Sequence, residues 1–114
     1  MPLLFLGAGC AKQTATVESE APQGEVYAGT YLSGEASVGI VNFAFSPAVL
    51  GVEKGTKVEW TNLDSAPHRV QLDTGVGSLE MKKDGKWSFA FKEPGKYTYH
   101  CSIHPSMVGT IYVK

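Results

Sequence analysis

Four side chains in the C-terminal half could do chemistry together. Cys101, His104 and Met107 fall in one run, Cys101-Ser102-Ile103-His104-Pro105-Ser106-Met107, each separated from the next by two residues. A short loop at a strand end can turn a thiolate, an imidazole and a thioether toward one point. His68 lies far earlier, at a junction between loop and strand, where sheet packing can bring it alongside. Two imidazoles and a thiolate, with a weak axial thioether, are the donor set of a mononuclear copper site that passes single electrons. Soft sulfur favours Cu(I) and imidazole accepts Cu(II), so such a site lets the ion change charge with little rearrangement.

Taken singly, each residue has a plainer account. Cys101 could be a buried free cysteine. His104 could be a surface loop residue, His68 a strand cap and Met107 core filling. Their joint occurrence at one end of one fold argues for a metal. Zinc suits the set less well, because structural zinc takes four Cys or His ligands and only three are at hand. Cys101 and His104 as nucleophile and base lack a helix-borne nucleophile and a substrate cleft. His100 alternates away from Tyr99 and Cys101, so it is expected to face the other side of its strand and not to ligate.

The elements that must position these residues read as β throughout. A short first strand is expected between Val26 and Leu32. Ser37 to Phe45 is rich in β-branched and aromatic residues, and Ser46-Pro47 breaks it. Val49 to Val52 reads as a strand and Glu53-Lys54-Gly55 as a tight turn. Thr56 to Asn62 alternates, with Thr56, Val58, Trp60 and Asn62 on one face. Leu63 to Pro67 is a loop, and His68 to Leu72 starts the next strand. Gly75 to Leu79 is loop or short strand, and Lys82 to Lys86 a polar turn. Trp87 to Phe91, Gly95 to Cys101 and Gly109 to Val113 complete the set, with Glu93-Pro94-Gly95 as a turn. No segment carries a helical stripe. Seven or eight short strands joined by Gly, Pro and Asx turns indicate an all-β, two-sheet Greek-key sandwich.

The chain has 114 residues, enough for one domain. Lys and Arg total 10 against 11 Asp and Glu, so the formal net charge is -1 and no basic face argues for nucleic acid. There is no Gly-rich phosphate cradle and no zinc-finger spacing, so neither nucleic acid nor a small-molecule substrate is expected. The two cysteines, Cys10 and Cys101, do not make a disulfide framework.

The first ten residues, Met1-Pro2-Leu3-Leu4-Phe5-Leu6-Gly7-Ala8-Gly9-Cys10, are apolar or small before the cysteine. They are too short to span a bilayer, which needs about 20 apolar residues. They resemble the tail of a bacterial or archaeal lipoprotein signal, whose cysteine becomes the lipidated first residue. They depart from it in lacking a basic n-region and in having Gly7 where leucine is usual. A plain secretory signal is the alternative. Residues 11–24 read as a flexible tether and 25–114 as the folded domain. The protein is therefore expected to be exported, at the periplasmic or extracellular face, and anchored to the membrane through Cys10.

The two ligand segments resemble those of the cupredoxins, the type 1 blue copper proteins. The Cys-x-x-His-Pro-x-Met run of residues 101–107 is closest to the amicyanin group within the plastocyanin-like proteins. The likeness extends from about Ser37 to Val113, through Gly55 to Asn62, Pro67-His68, Glu93 to His100 and Gly109 to Val113. It implies a cupredoxin-like sandwich holding one copper ion, with His68, Cys101 and His104 as equatorial ligands and Met107 as the long axial one. It implies His104 as the solvent-edge ligand, with Pro105, Ser106, Ala66 and Pro67 in an uncharged docking rim. One position departs: the family usually has asparagine after the first histidine, where it ties the two ligand loops together, and this chain has Arg69. Asn62 or Ser102 is a candidate substitute, and Arg69 is expected to face outward.

The resemblance implies an electron shuttle cycling Cu(II)/Cu(I), monomeric, not an enzyme, and docking redox proteins transiently near His104. The alternative is a copper carrier or donor in exported copper handling or oxidase assembly. Such carriers often use Met- and His-rich sites without a thiolate. A metal-free adhesion-type sandwich is a third reading.

Overall fold

The computed structural model describes residues 27–114. The signal remnant, the Cys10 anchor and the tether over 11–24 lie outside the described residues. Nine strands follow in chain order: β1 Tyr31–Leu32, β2 Glu35–Val41, β3 Ala44–Ser46, β4 Val49–Val52, β5 Thr56–Asn62, β6 Val70–Leu72, β7 Lys86–Phe91, β8 Gly95–Cys101 and β9 Val108–Val113. One sheet has five strands in the order β1-β4-β9-β8-β6, and the other has four, β3-β2-β5-β7. The chain crosses between the sheets repeatedly, and β2 with β5, β4 with β9 and β1 with β4 pair in parallel.

The all-β two-sheet expectation holds. Two local readings are corrected. Ser37 to Phe45 is not one strand but a hairpin, because Asn42 and Phe43 turn the chain between β2 and β3 with φ of 54° and 58°. That hairpin and the two-residue β1 bring the count among the described residues to nine, against the seven or eight expected. A two-residue hairpin loop of type I′ has positive φ at both central positions, which asparagine tolerates and phenylalanine resists. Something must therefore hold Phe43 there. His68 does not open a strand: β6 begins at Val70, and His68 makes an isolated bridge to Met81. The short strand expected within Val26 to Leu32 is present at Tyr31–Leu32, and Val26 lies outside the described residues.

The core forms where the inner faces of the sheets meet. In β5 the expected alternation is present, with Thr56, Val58, Trp60 and Asn62 all buried. Val38 and Ile40 of β2, Phe91 of β7, Tyr99 of β8 and Ile111 of β9 join them. The Trp60 ring lies 5.3 Å from Tyr99 and 5.2 Å from Trp87, centroid to centroid. Tyr99 can lie flat across β9 because its neighbour there is Gly109, where a Cβ would collide with the phenol ring. Burial of these rings supplies much of the folding free energy, at about 25 cal/mol per Å² of apolar surface. It also makes a rigid floor beneath the end of the sandwich where β8 delivers Cys101.

Candidate metal centre

The segment between β5 and β6 carries His68 and is organised by buried polar groups. Asn62 is fully buried at the end of β5. Its side-chain Nδ2 donates to the carbonyls of Ala66 at 2.9 Å and Met81 at 2.8 Å, and its Oδ1 accepts from the Asp64 N–H at 2.9 Å. A buried amide satisfied in this way fixes the loop, because any other path would leave those groups unpaired. His68 then exchanges both backbone bonds with Met81, at 3.1 and 2.8 Å.

The His68 side chain is wholly buried and both ring nitrogens are engaged. Nε2 lies 2.9 Å from Asp64 Oδ2. A carboxylate only accepts, so Nε2 carries the proton and donates it. Nδ1 of the neutral ring then holds a lone pair, and it faces Cys101 Sγ at 3.7 Å. Asp64 also accepts from the N–H of Asn42 at 2.7 Å and of Phe43 at 2.9 Å. These bonds are what hold the hairpin turn in its left-handed conformation. The Phe43 N–H beside it is the main reason the Asp64 carboxyl sits below the usual carboxylate value. Burial opposes the shift, and His68 and Asn42 reinforce it.

Cys101 ends β8 and is also wholly buried. Its sulfur accepts from the Arg69 N–H at 3.5 Å. The loop that follows closes on backbone bonds. The Cys101 N–H donates to Met107 C=O at 3.1 Å, the Met107 N–H to His104 C=O at 2.9 Å and the Ser102 N–H to Arg69 C=O at 3.1 Å. The loop thereby returns Met107 to the buried cluster that contains Cys101. His104 is half-buried, its ring 5.3 Å from that of His68. Phe43 places its edge against both rings, 5.2 Å from His68 and 5.1 Å from His104.

His68, Cys101 and His104 are thus gathered at one end of the sandwich, with Met107 brought to the same end by its loop. Among the described residues, no three His, Cys, Asp or Glu side chains are drawn together closely enough to hold a metal ion by themselves. What the fold offers is a buried imidazole lone pair beside a buried thiol, a second, half-buried imidazole and a buried methionine on the same loop as the thiol. These four residues could hold a soft or borderline ion such as copper, for which sulfur and imidazole are suitable donors. His100 lies on the outer face, where its Nδ1 is 3.4 Å from Asp73 Oδ1. Arg69 is exposed, and its Nε donates to Ser78 C=O at 3.3 Å.

Some of the residues that shape the site carry no signal in the sequence. Asp64 and Phe43 fall on turns without periodicity. Leu63 and Ile103 join Phe43 as exposed apolar groups, 48%, 39% and 51% accessible. With exposed Pro67 and Pro105 they belong to the loops of this end. Of the two residues considered as substitutes, Asn62 anchors the His68 loop to Met81 through its side chain, and Ser102 reaches Arg69 C=O through its backbone N–H.

Comparison with known proteins agrees with this geometry. Residues 32–114 match the family of copper binding proteins of the plastocyanin/azurin type. The chain is 34% identical to amicyanin from Paracoccus denitrificans, covering 96% of this chain and 86% of that one. It is 30% identical to amicyanin from Paracoccus versutus, covering 91% and 81%. Among solved structures, an oxidized amicyanin variant superposes with a TM-score of 0.68 at 32% identity, over 71% of this chain and 83% of that one. A purple cupredoxin from Nitrosopumilus maritimus gives 0.65 at 31% identity, over 69% and 99%. Sequence, fold and the gathering of donors at one end agree, and the chain belongs to the plastocyanin/azurin family of copper binding proteins.

Proposed function

We propose that this protein carries single electrons through one type 1 copper ion held by His68, Cys101 and His104, with Met107 as the weak axial ligand. The observation that carries the ligand assignment is the 3.7 Å approach of His68 Nδ1 to Cys101 Sγ in a fully buried setting, with the His104 ring adjoining. Bound copper would supply the one-electron couple between Cu(II) and Cu(I).

The chain's own residues supply the rest. His68 and Cys101 are shut off from water, and the Asp64 bond holds the His68 ring still. The rigid Trp60–Tyr99 floor limits movement of the strand that ends at Cys101. His104 is the half-exposed member, so its ring edge is where a partner comes nearest. Phe43, Leu63, Ile103, Pro67 and Pro105 supply an uncharged apolar rim there. Such a rim suits short encounters with redox proteins, which bury little area. Nothing here transforms a substrate, and the protein is an electron carrier rather than an enzyme.

The same proposal places the protein outside the cytoplasm as a monomer. It is anchored through a lipidated Cys10 after removal of the segment before it, with residues 11–24 as tether to the 25–114 domain. The support is the small, apolar run before Cys10 and the polar stretch after it. No helix among the described residues is long and apolar enough to cross a membrane.

Copper(II) added to the 25–114 domain should give an intense blue charge-transfer band at one equivalent. Cys101→Ser should abolish it. Colourless binding by the unaltered domain would sink the ligand assignment. Rapid loss of Cu(I) to an apo acceptor would point to a copper donor instead. For the anchor, Cys10→Ser should move the full-length protein from the detergent to the aqueous phase on partitioning.

A further inference from the structure

Asp64 stands where three independent contacts meet. One carboxylate accepts from the hairpin at Asn42 N–H, 2.7 Å, and Phe43 N–H, 2.9 Å, and from His68 Nε2–H, 2.9 Å. Its side chain is only 13% accessible, and His68 is not accessible at all. The hairpin tip it holds is strained, with Phe43 at φ 58°. The ring so placed touches His68 and His104 edge-on. The family's usual tie behind the first histidine is missing, because Arg69 occupies that place and faces out.

We propose that Asp64 is a positioning residue for the metal, holding His68 in the tautomer that leaves Nδ1 free beside Cys101 Sγ while pinning the Phe43 tip against both imidazoles. The inference rests on the copper reading above and adds a residue to it. Two consequences follow from the chemistry. A neutral imidazole released from Asp64 can place its proton on either nitrogen, and protonation at Nδ1 removes the lone pair that faces the thiol. A carboxylate at Nε2 also raises the basicity of Nδ1, which favours the more highly charged ion. Loss of the carboxylate should therefore weaken Cu(II) more than Cu(I) and raise the reduction potential.

The test uses the 25–114 domain in two states. In the copper-free domain, nitrogen-15 NMR of the unaltered protein should show His68 as the single Nε2–H tautomer. Asp64→Asn, which keeps an oxygen for the hairpin N–H groups, should give a tautomer mixture. Asp64→Glu should restore the single form in part. In the copper-loaded domain, Asp64→Asn should lower the preference for Cu(II) over Cu(I) about tenfold, a rise of about 59 mV. Phe43→Leu leaves the carboxylate bonds in place and should not alter the tautomer.

An unchanged tautomer and unchanged potential in Asp64→Asn, with only stability reduced, would reduce Asp64 to a hairpin brace and overturn the proposal. The NMR arm needs no metal, so it decides the matter even for a domain that takes up no copper. A blue band retained by Asp64→Asn with an unshifted potential would leave the copper reading standing and remove this one.

Discussion

The two loops that meet at the metal end are held by different means. The His68 loop is braced by side chains. Asn62 makes three hydrogen bonds and Asp64 accepts three, and both belong to the loop or its border. The loop from Cys101 to Met107 is closed mainly by backbone bonds, with one more accepted by the Cys101 sulfur from the Arg69 N–H, and its His104 ring packs against the rings of Phe43 and His68. Its floor is held by packed rings rather than hydrogen bonds: among the described residues, Trp60 Nε1 and Tyr99 Oη lie buried without a hydrogen-bond partner. A side-chain brace demands particular residues at particular places. A backbone-closed loop demands only its length and its freedom from proline at the donor positions. One loop is therefore sensitive to residue identity and the other to backbone chemistry, and the solvent-edge imidazole sits in the second.

The largest effect should come from Asn62→Ala in the copper-free domain. It strands the carbonyl of Ala66 and the N–H of Asp64, each costing about 1–3 kcal/mol when buried, while the Met81 carbonyl keeps its bond from the His68 N–H. We expect a loss of about 4 kcal/mol in urea unfolding. A loss near 1 kcal/mol would mean that the loop is held by something other than its side chains.

Ser102→Pro addresses the opposite loop. It removes the N–H that donates to Arg69 C=O and should cost about 2 kcal/mol by the same unfolding measurement. Ser102→Ala, which keeps that N–H, should stay within about 0.5 kcal/mol. Equal losses from the two substitutions would show that the side chain matters and dissolve the contrast.

Alkaline pH probes the floor. Burial lifts the Tyr99 phenol to about 12, and the nearby Trp60 indole offsets part of the rise. Between pH 10 and that value the unfolded chain releases the proton and the folded chain keeps it. Stability therefore falls as pH rises, by up to about 2.7 kcal/mol at 1.36 kcal/mol per unit. Tyr99→Phe should flatten that decline relative to the unaltered domain and leave stability at pH 7 unchanged or higher. A parallel decline in both proteins would show that the Tyr99 phenol does not cause it.

Phe43→Ala is the smallest of the four. It removes an exposed ring that touches two imidazoles, worth about 1 kcal/mol. The residue remains at a positive φ that alanine also resists. A loss above 2 kcal/mol would mean that the hairpin tip supports the fold as a whole and not only the end it covers.

Much of this was legible in the order of residues because it depends on local geometry. The Cys101-x-x-His104-x-x-Met107 spacing sets what one loop can converge, and alternation in β5 states which side chains turn inward. Period-two patterns report a face regardless of what packs on it. The split of residues 37–45 into a hairpin was not legible, because Phe43 is a poor turn residue and its conformation is imposed from Asp64, 21 positions away. The strand expected at His68 failed for a related reason: the partner of that residue is Met81, across an irregular loop. So the sequence by itself determined the sandwich, its inward faces and the donors carried by one loop. Only the tertiary structure decided how His68 is held, which of its nitrogens faces the thiol and what covers the two imidazoles. These rest on single contacts between turns, which have no period and leave no trace along the chain.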